Sequence, residues 1–295
     1  MYNRRIIKKK NKIKKGFQED KKKLQSTKKL PQREIPIIKD DNKQRQILKK
    51  LKNDMKVQPI KSARDQVEKT EGQSQYTMVP PGLTLFCGSS GSGKTVSICN
   101  ILSKKTMLKN YFDKIIVFSL SPCDMLLDAL QLDKKNFIQD DDPSKVQRIL
   151  EQQKKLIENE KFEHVPHVLI ILDDIIQSRT FLRSKVLSEL AFAGTHSKIS
   201  TWIATQSYMA VPRNIRVNCH ACLLFSGCKL SELDRYEAEW GSQYLNKKQF
   251  RKLVQYALRD NYDFLFANNC NPDRSRKFMK GFHETIVIDK NNPQW

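Results

Sequence analysis

The chain has 295 residues, with 54 Lys and Arg against 32 Asp and Glu and a formal net charge of +22. That length holds one large α/β domain with a tail, or two small domains, and the surplus of base favours polyanionic partners, nucleic acid first. No apolar run approaches the ~18–20 residues of a membrane-spanning helix, the opening MYNRRIIKKKNKIKKG holds no apolar signal core, and an odd count of seven cysteines argues against a disulfide framework.

Charge is distributed unevenly. Residues 1–75 carry 24 Lys and Arg against 9 acids, so +15 of the +22 lies there and +7 in the remaining residues. This segment is rich in Lys, Gln, Asn and Asp and poor in aromatics. It cannot bury enough apolar area to offset its ordering entropy, which predicts a basic, disordered tail with at most a transient helix over 42–57. The composition changes near Tyr76, so 76–295 is expected to be the folded domain.

Pro80-Pro81-Gly82 makes a turn, and LTLFC at 83–87 reads as a short apolar strand. A Gly/Ser loop follows, then a helix over 94–104 with apolar Val96, Ile98, Ile101 and Leu102. KIIVFSL at 114–120 is a second strand, broken by Ser121-Pro122, with a short helix over 124–132 and an exposed one over 143–160. HVLIIL at 167–172 is a buried strand ending in Asp173-Asp174. The pattern then predicts one helix over 179–193 stopped by Gly194, strands at 200–205 and 221–225, helices at 231–240 and 247–258, and strands at 263–267 and 285–288. Short, wholly apolar strands alternating with helices imply an α/β domain built on a doubly wound, mainly parallel sheet. Ligands bind beyond the carboxyl ends of such strands.

GSSGSGKT at 88–95 matches G-x-x-x-x-G-K-[ST]. Backbone N–H groups can wrap a phosphate only where side chains are small, and Gly88, Ser89, Ser90, Gly91, Ser92 and Gly93 are all small. In that setting Lys94 reaches the β- and γ-phosphates and Thr95 ligates Mg²⁺. These residues point to ATP and Mg²⁺. Asp173, delivered by an apolar strand, is expected to hold the metal. Asp174, one residue on, is placed as a general base that polarises the attacking water. Gln206 ends the strand WIATQ, where its amide can hydrogen-bond the γ-phosphate or the water. Cys219, His220, Cys222 and Cys228 are zinc-ligating residue types. No second C-x-x-C pair accompanies them and Cys222 opens an apolar strand, so the three cysteines read as buried free thiols. His164 and His167 read as surface or packing residues.

The order GSSGSGKT, FSLSP, HVLIILDDI, WIATQS, VPRNIRVN and a further apolar strand resembles the FtsK–HerA superfamily of P-loop ATPases. It is similar in particular to the genome-packaging ATPases of poxviruses, other nucleocytoplasmic large DNA viruses and related virophages. The likeness covers about residues 78–270. It implies a homo-oligomeric ring that drives double-stranded DNA into a preformed capsid, with a capsid or portal vertex protein as partner, in the virion or at the host-cell site of virus assembly. It also implies an arginine offered to a neighbour's nucleotide, for which Arg216 is the best match and Arg213 the second. The alternative is a helicase or replication-associated ATPase with the same core. The tail at 1–75 and the stretch 120–165 depart from the family pattern, so no role is carried over to them.

Overall fold

The computed structural model describes residues 78–175, 178–271 and 273–288. The basic segment 1–75, with the helix expected at 42–57, lies outside the described residues. In chain order the elements are β1 (Leu83–Cys87), α1 (Lys94–Ser103), β2 (Lys114–Ser119), α2 (Asp124–Leu130), β3 (Phe137–Ile138), α3 (Pro143–Asn159), β4 (Val168–Asp173), α4 (Arg179–Arg183) and α5 (Lys185–Ala193). There follow β5 (Ile199–Thr205), α6 (Arg213–Arg216), β6 (Ala221–Phe225), α7 (Leu230–Tyr236), α8 (Lys247–Ala257), β7 (Phe264–Asn268), β8 (Phe278–Lys280) and β9 (Glu284–Ile286).

All nine strands form one sheet in the order β3-β2-β4-β5-β1-β6-β7-β8-β9. The first six in that order pair in parallel, and β7, β8 and β9 add on antiparallel. Period-2 alternation sends side chains to two cores. Leu83, Leu85, Cys87, Ile170 and Leu172 face Val146 and Leu150 of α3, Leu187 and Leu190 of α5, and Phe250 and Leu253 of α8. Phe86, Leu169, Ile171 and Trp202 face Ile98, Ile101 and Leu102 of α1 and Leu126 of α2. Each strand of the parallel half is therefore apolar on both sides, which is why β1, β5 and β6 are buried along their whole length.

Helix boundaries follow local chemistry. Asp142 caps α3 by accepting from the Ser144 N–H at 2.9 Å, with Pro143 in the first turn. Asn246 and Gln249 close a reciprocal capping box on α8. The single helix expected over 179–193 is two helices, because Ser184 adopts an extended backbone (φ −72, ψ 146) between them. Gly194 does not stop the second one in a left-handed cap. It stays right-handed and enters a 3-10 turn over Gly194–Ser197. The helix expected at 231–240 is α-helical only to Tyr236 and then widens into a π-turn over Glu237–Gly241.

Candidate nucleotide site

The sheet order fixes which side chains can meet. β1 feeds the Gly/Ser loop and β4 delivers the acids, but β5 lies between them. The acidic strand is thus the next but one to the loop strand. This insertion puts the carboxyl end of β5, with Thr205 and Gln206, between loop and acids.

The loop is pinned from both sides. Gly88 N–H donates to Thr205 O at 3.2 Å, and Ser89 N–H donates to Ser226 O, beyond β6, at 3.0 Å. At Gly88 a Cβ would fall 2.5 Å from Phe225 Cβ and 2.8 Å from Ser92 Oγ, so glycine alone lets the loop settle on β6. Gly93 caps α1 with φ 102 and no side-chain hydrogen bond, leaving the first amides of the helix for a ligand. Lys94 is buried, and its Nζ donates to Gly88 O at 2.8 Å and Ser89 O at 2.9 Å. The ammonium is thus held across the mouth of the loop. Ser92 Oγ is buried with no hydrogen-bond partner among the described residues.

On the acidic side the chain leaves β4 through Asp174 in a left-handed conformation (φ 52), and Asp174 N–H donates to Ala204 O of β5 at 3.0 Å. Gln206 Nε2 donates to Asp174 Oδ2 at 3.0 Å, while Asp174 Oδ1 is buried and unpartnered among the described residues. Burial pushes the Asp173 carboxyl up to about 6, the charge of Asp174 adds to the rise, and Lys94 opposes it. Asp173 therefore lies within electrostatic reach of both Lys94 and Asp174. Asp173, raised by burial, beside Asp174 with its one orphaned oxygen offers carboxylate ligands that suit a divalent cation, and the half-buried Thr95 at the start of α1 adds a hydroxyl of the kind Mg²⁺ takes.

Against that geometry the family comparison is specific. The model for the family described as Poxvirus A32 protein matches residues 81–242, more than half of the chain. The chain belongs to the Poxvirus A32 protein family. As a member it is an ATP-binding, ATP-hydrolysing P-loop enzyme of the genome-packaging type. Among solved structures it is similar to the genome packaging NTPase B204 of Sulfolobus turreted icosahedral virus 2 in complex with ATP-gammaS, at 15% identity over 65% of this chain and 94% of that one, TM-score 0.44. It is also similar to ATPases 2 and 3 of EssC from Geobacillus thermodenitrificans, at 16% identity over 64% of this chain and 38% of that one, TM-score 0.46. No curated protein sequence matches. Among the described residues no helix is long and apolar enough to cross a membrane.

One of the expected site residues parts company with the cluster. Arg216 is buried: its Nε and Nη2 donate to Glu239 Oε2 and Oε1 at 2.9 and 2.8 Å, Nη1 donates to Val211 O, and its guanidinium lies 4.9 Å from the centre of the Tyr208 ring. Every nitrogen is engaged within its own subunit, so the geometry opposes the expected reach to a neighbour's nucleotide. Arg213, one turn earlier, is exposed. Of the zinc-type residues, His220 Nδ1 accepts from Leu83 N–H at 3.0 Å and Cys219 donates to Ile215 O, each engaged with a different element. Sequence reasoning missed Tyr262, an exposed residue at φ 66 whose ring lies 3.3 Å from where a Gly93 Cβ would be. It also missed the turn after β6 that holds Ser89. Both come from chain segments far from the loop, and no local pattern marks them.

Proposed function

We propose that the chain is an ATP-driven translocase of double-stranded DNA that packages a viral genome into a preformed capsid, working as a homo-oligomeric ring at the capsid or portal vertex. The observation that carries the catalytic half is the gathering of Lys94, Asp173, Asp174 and Gln206 at the carboxyl ends of β1, β4 and β5. In this reading the amides of 88–93 cradle the phosphates, and Lys94 turns from the loop carbonyls to the β- and γ-oxygens. Thr95 and Asp173 would hold Mg²⁺, which would supply charge neutralisation at the phosphates. Asp174 orients the attacking water, and Gln206 fixes the Asp174 carboxylate through its one hydrogen bond. Arg213, on the surface, takes the place expected of Arg216 as the group offered to a neighbouring subunit.

The DNA half rests on family membership and on charge. A surplus concentrated in residues 1–75 raises affinity for duplex without reading sequence, through counterion release. The test is ATP turnover with and without blunt duplex DNA. Duplex is expected to stimulate it, and Lys94→Ala to abolish it. Asp174→Asn is expected to keep ATP binding while lowering turnover about 10³-fold, about 4 kcal/mol of transition-state stabilisation. Turnover indifferent to duplex would end the translocase reading, and strand displacement without duplex translocation would replace it by the helicase one. Equal loss of binding and turnover in Asp174→Asn would make that residue structural.

A further inference from the structure

Cys87 is the last residue of β1, and Cys228 lies in the turn after β6, the parallel neighbour of β1. Their sulfurs are 3.9 Å apart. A disulfide needs about 2.05 Å between sulfurs, so a contraction of about 2 Å would join them. Cys87 is buried, whereas Cys228 is half-buried and flanked by exposed Ser226, Gly227 and Lys229, which opens it to small solutes. Either sulfur can donate in this contact; with Cys87 as donor the bond lowers the Cys228 thiol against burial, and Lys94 acts in the same direction. Its access to solutes makes Cys228 the nucleophilic member and Cys87 the resolving one.

That turn is also one of the two supports of the phosphate loop. Ser226 O accepts from both Ser89 N–H (3.0 Å) and Ser89 Oγ (3.3 Å). Gly227 is held at φ 86 so close to Ser89 that a Cβ there would come within 2.2 Å of Ser89 Oγ. Ser89 O in turn accepts from Lys94 Nζ. These contacts link Cys228 through the turn to Ser89 and from there to Lys94.

We propose that Cys87 and Cys228 form a reversible oxidative modification site, taking a peroxide-class oxidant, whose disulfide distorts the phosphate loop and switches nucleotide turnover off. The Cys228 thiolate attacks one oxygen of hydrogen peroxide, the O–O bond breaks, and sulfenic acid and hydroxide form. The Cys87 sulfur then attacks the sulfenic sulfur and the S–O bond breaks. The departing hydroxide takes the Cys87 proton, and the first hydroxide takes the proton that Cys228 had released. Two thiols and one peroxide become one disulfide and two waters. A dithiol reductant reverses it by exchange.

The effect on turnover rests on the nucleotide reading of the loop, while the cross-link does not, so the two are measured separately. The full-length protein is treated with hydrogen peroxide, mapped by non-reducing peptide mass spectrometry, and assayed for ATP turnover before and after dithiothreitol. The expected result is a peptide pair joined through 87 and 228, lighter by two hydrogens, with at least a tenfold fall in turnover that dithiothreitol restores. Cys228→Ser and Cys228→Ala are both expected to keep their turnover under the same treatment. No 87–228 pair after peroxide overturns the site. A cross-link with unchanged turnover, or a fall that persists in both variants, overturns its control of the loop.

Discussion

Asp174 and Glu239 are both half-buried carboxylates, and their surroundings differ in kind. Glu239 accepts from Arg216 through both oxygens and from the Tyr208 hydroxyl at 2.7 Å, and Trp240 Nε1 donates to that hydroxyl at 2.9 Å. Asp174 accepts from Gln206 through one oxygen and has no partner among the described residues for the other. A saturated polar network has every polar atom answered and resists change; an incomplete one is held ready for a group that is not part of the chain. The contrast separates charges that hold the fold from charges available for chemistry, and Arg216, which motif order places among the catalytic residues, sits in the saturated network.

The sharpest way to break this contrast is Arg216→Ala. Removing one partner leaves Glu239 buried and uncompensated, which is expected to cost about 3–5 kcal/mol in urea-unfolding free energy. Turnover per folded molecule is expected to survive. The opposite pattern, intact stability with turnover lost, would return Arg216 to the catalytic set. The acid limb gives a second handle. Burial pushes Glu239 up, but hydrogen bonds from Arg216 and Tyr208 outweigh it and leave the group below its ordinary value. A depressed folded-state value contributes stability that is present above the unfolded carboxylate pKa and lost as pH falls through the folded one. That loss should shrink in the variant.

Gln206→Ala probes the incomplete cluster. Without the 3.0 Å hydrogen bond the Asp174 carboxylate loses its orientation. Turnover is expected to fall about 10- to 100-fold, or about 1.4–2.7 kcal/mol, while ATP affinity and unfolding free energy stay near wild type. A change in ATP affinity as large as that in turnover would place Gln206 on the nucleotide itself rather than on Asp174.

These two residues also mark how far the sequence could be read. The loop, the acidic strand and Gln206 were legible because each is a local pattern: small residues before Lys94, and an apolar run ending in a polar side chain. The parallel half of the sheet was legible for the same reason. The strands Phe137–Ile138 and Phe278–Lys280 were not, since so short a run has no period. The Arg216–Glu239 pair was invisible because nothing in IRVN announces a partner 23 residues on. The support given to Ser89 by the turn after β6 follows from strand order, which the chain does not spell out.

Lys277 falls between the two kinds of cluster and carries the smallest effect. It is buried, and its ammonium lies 5.2, 5.1 and 5.7 Å from the ring centres of Trp240, Tyr244 and Phe278. Burial pushes it down to about 8, with the charge of Arg274 acting the same way. Between that value and the unfolded lysine value of about 10.4, the unfolded chain binds a proton that the folded one has released, so stability rises with pH across the window. Ring faces favour the ammonium by about 0.5–2 kcal/mol and oppose the trend. Lys277→Met is therefore expected to gain only about 1 kcal/mol at pH 7 and to lose the rise seen in wild type, read as the difference in urea midpoints at pH 7, 8.5 and 10. Were the variant less stable than wild type at pH 7, the three rings would be stabilising the charge outright, and Lys277 would belong with Arg216 among the satisfied groups.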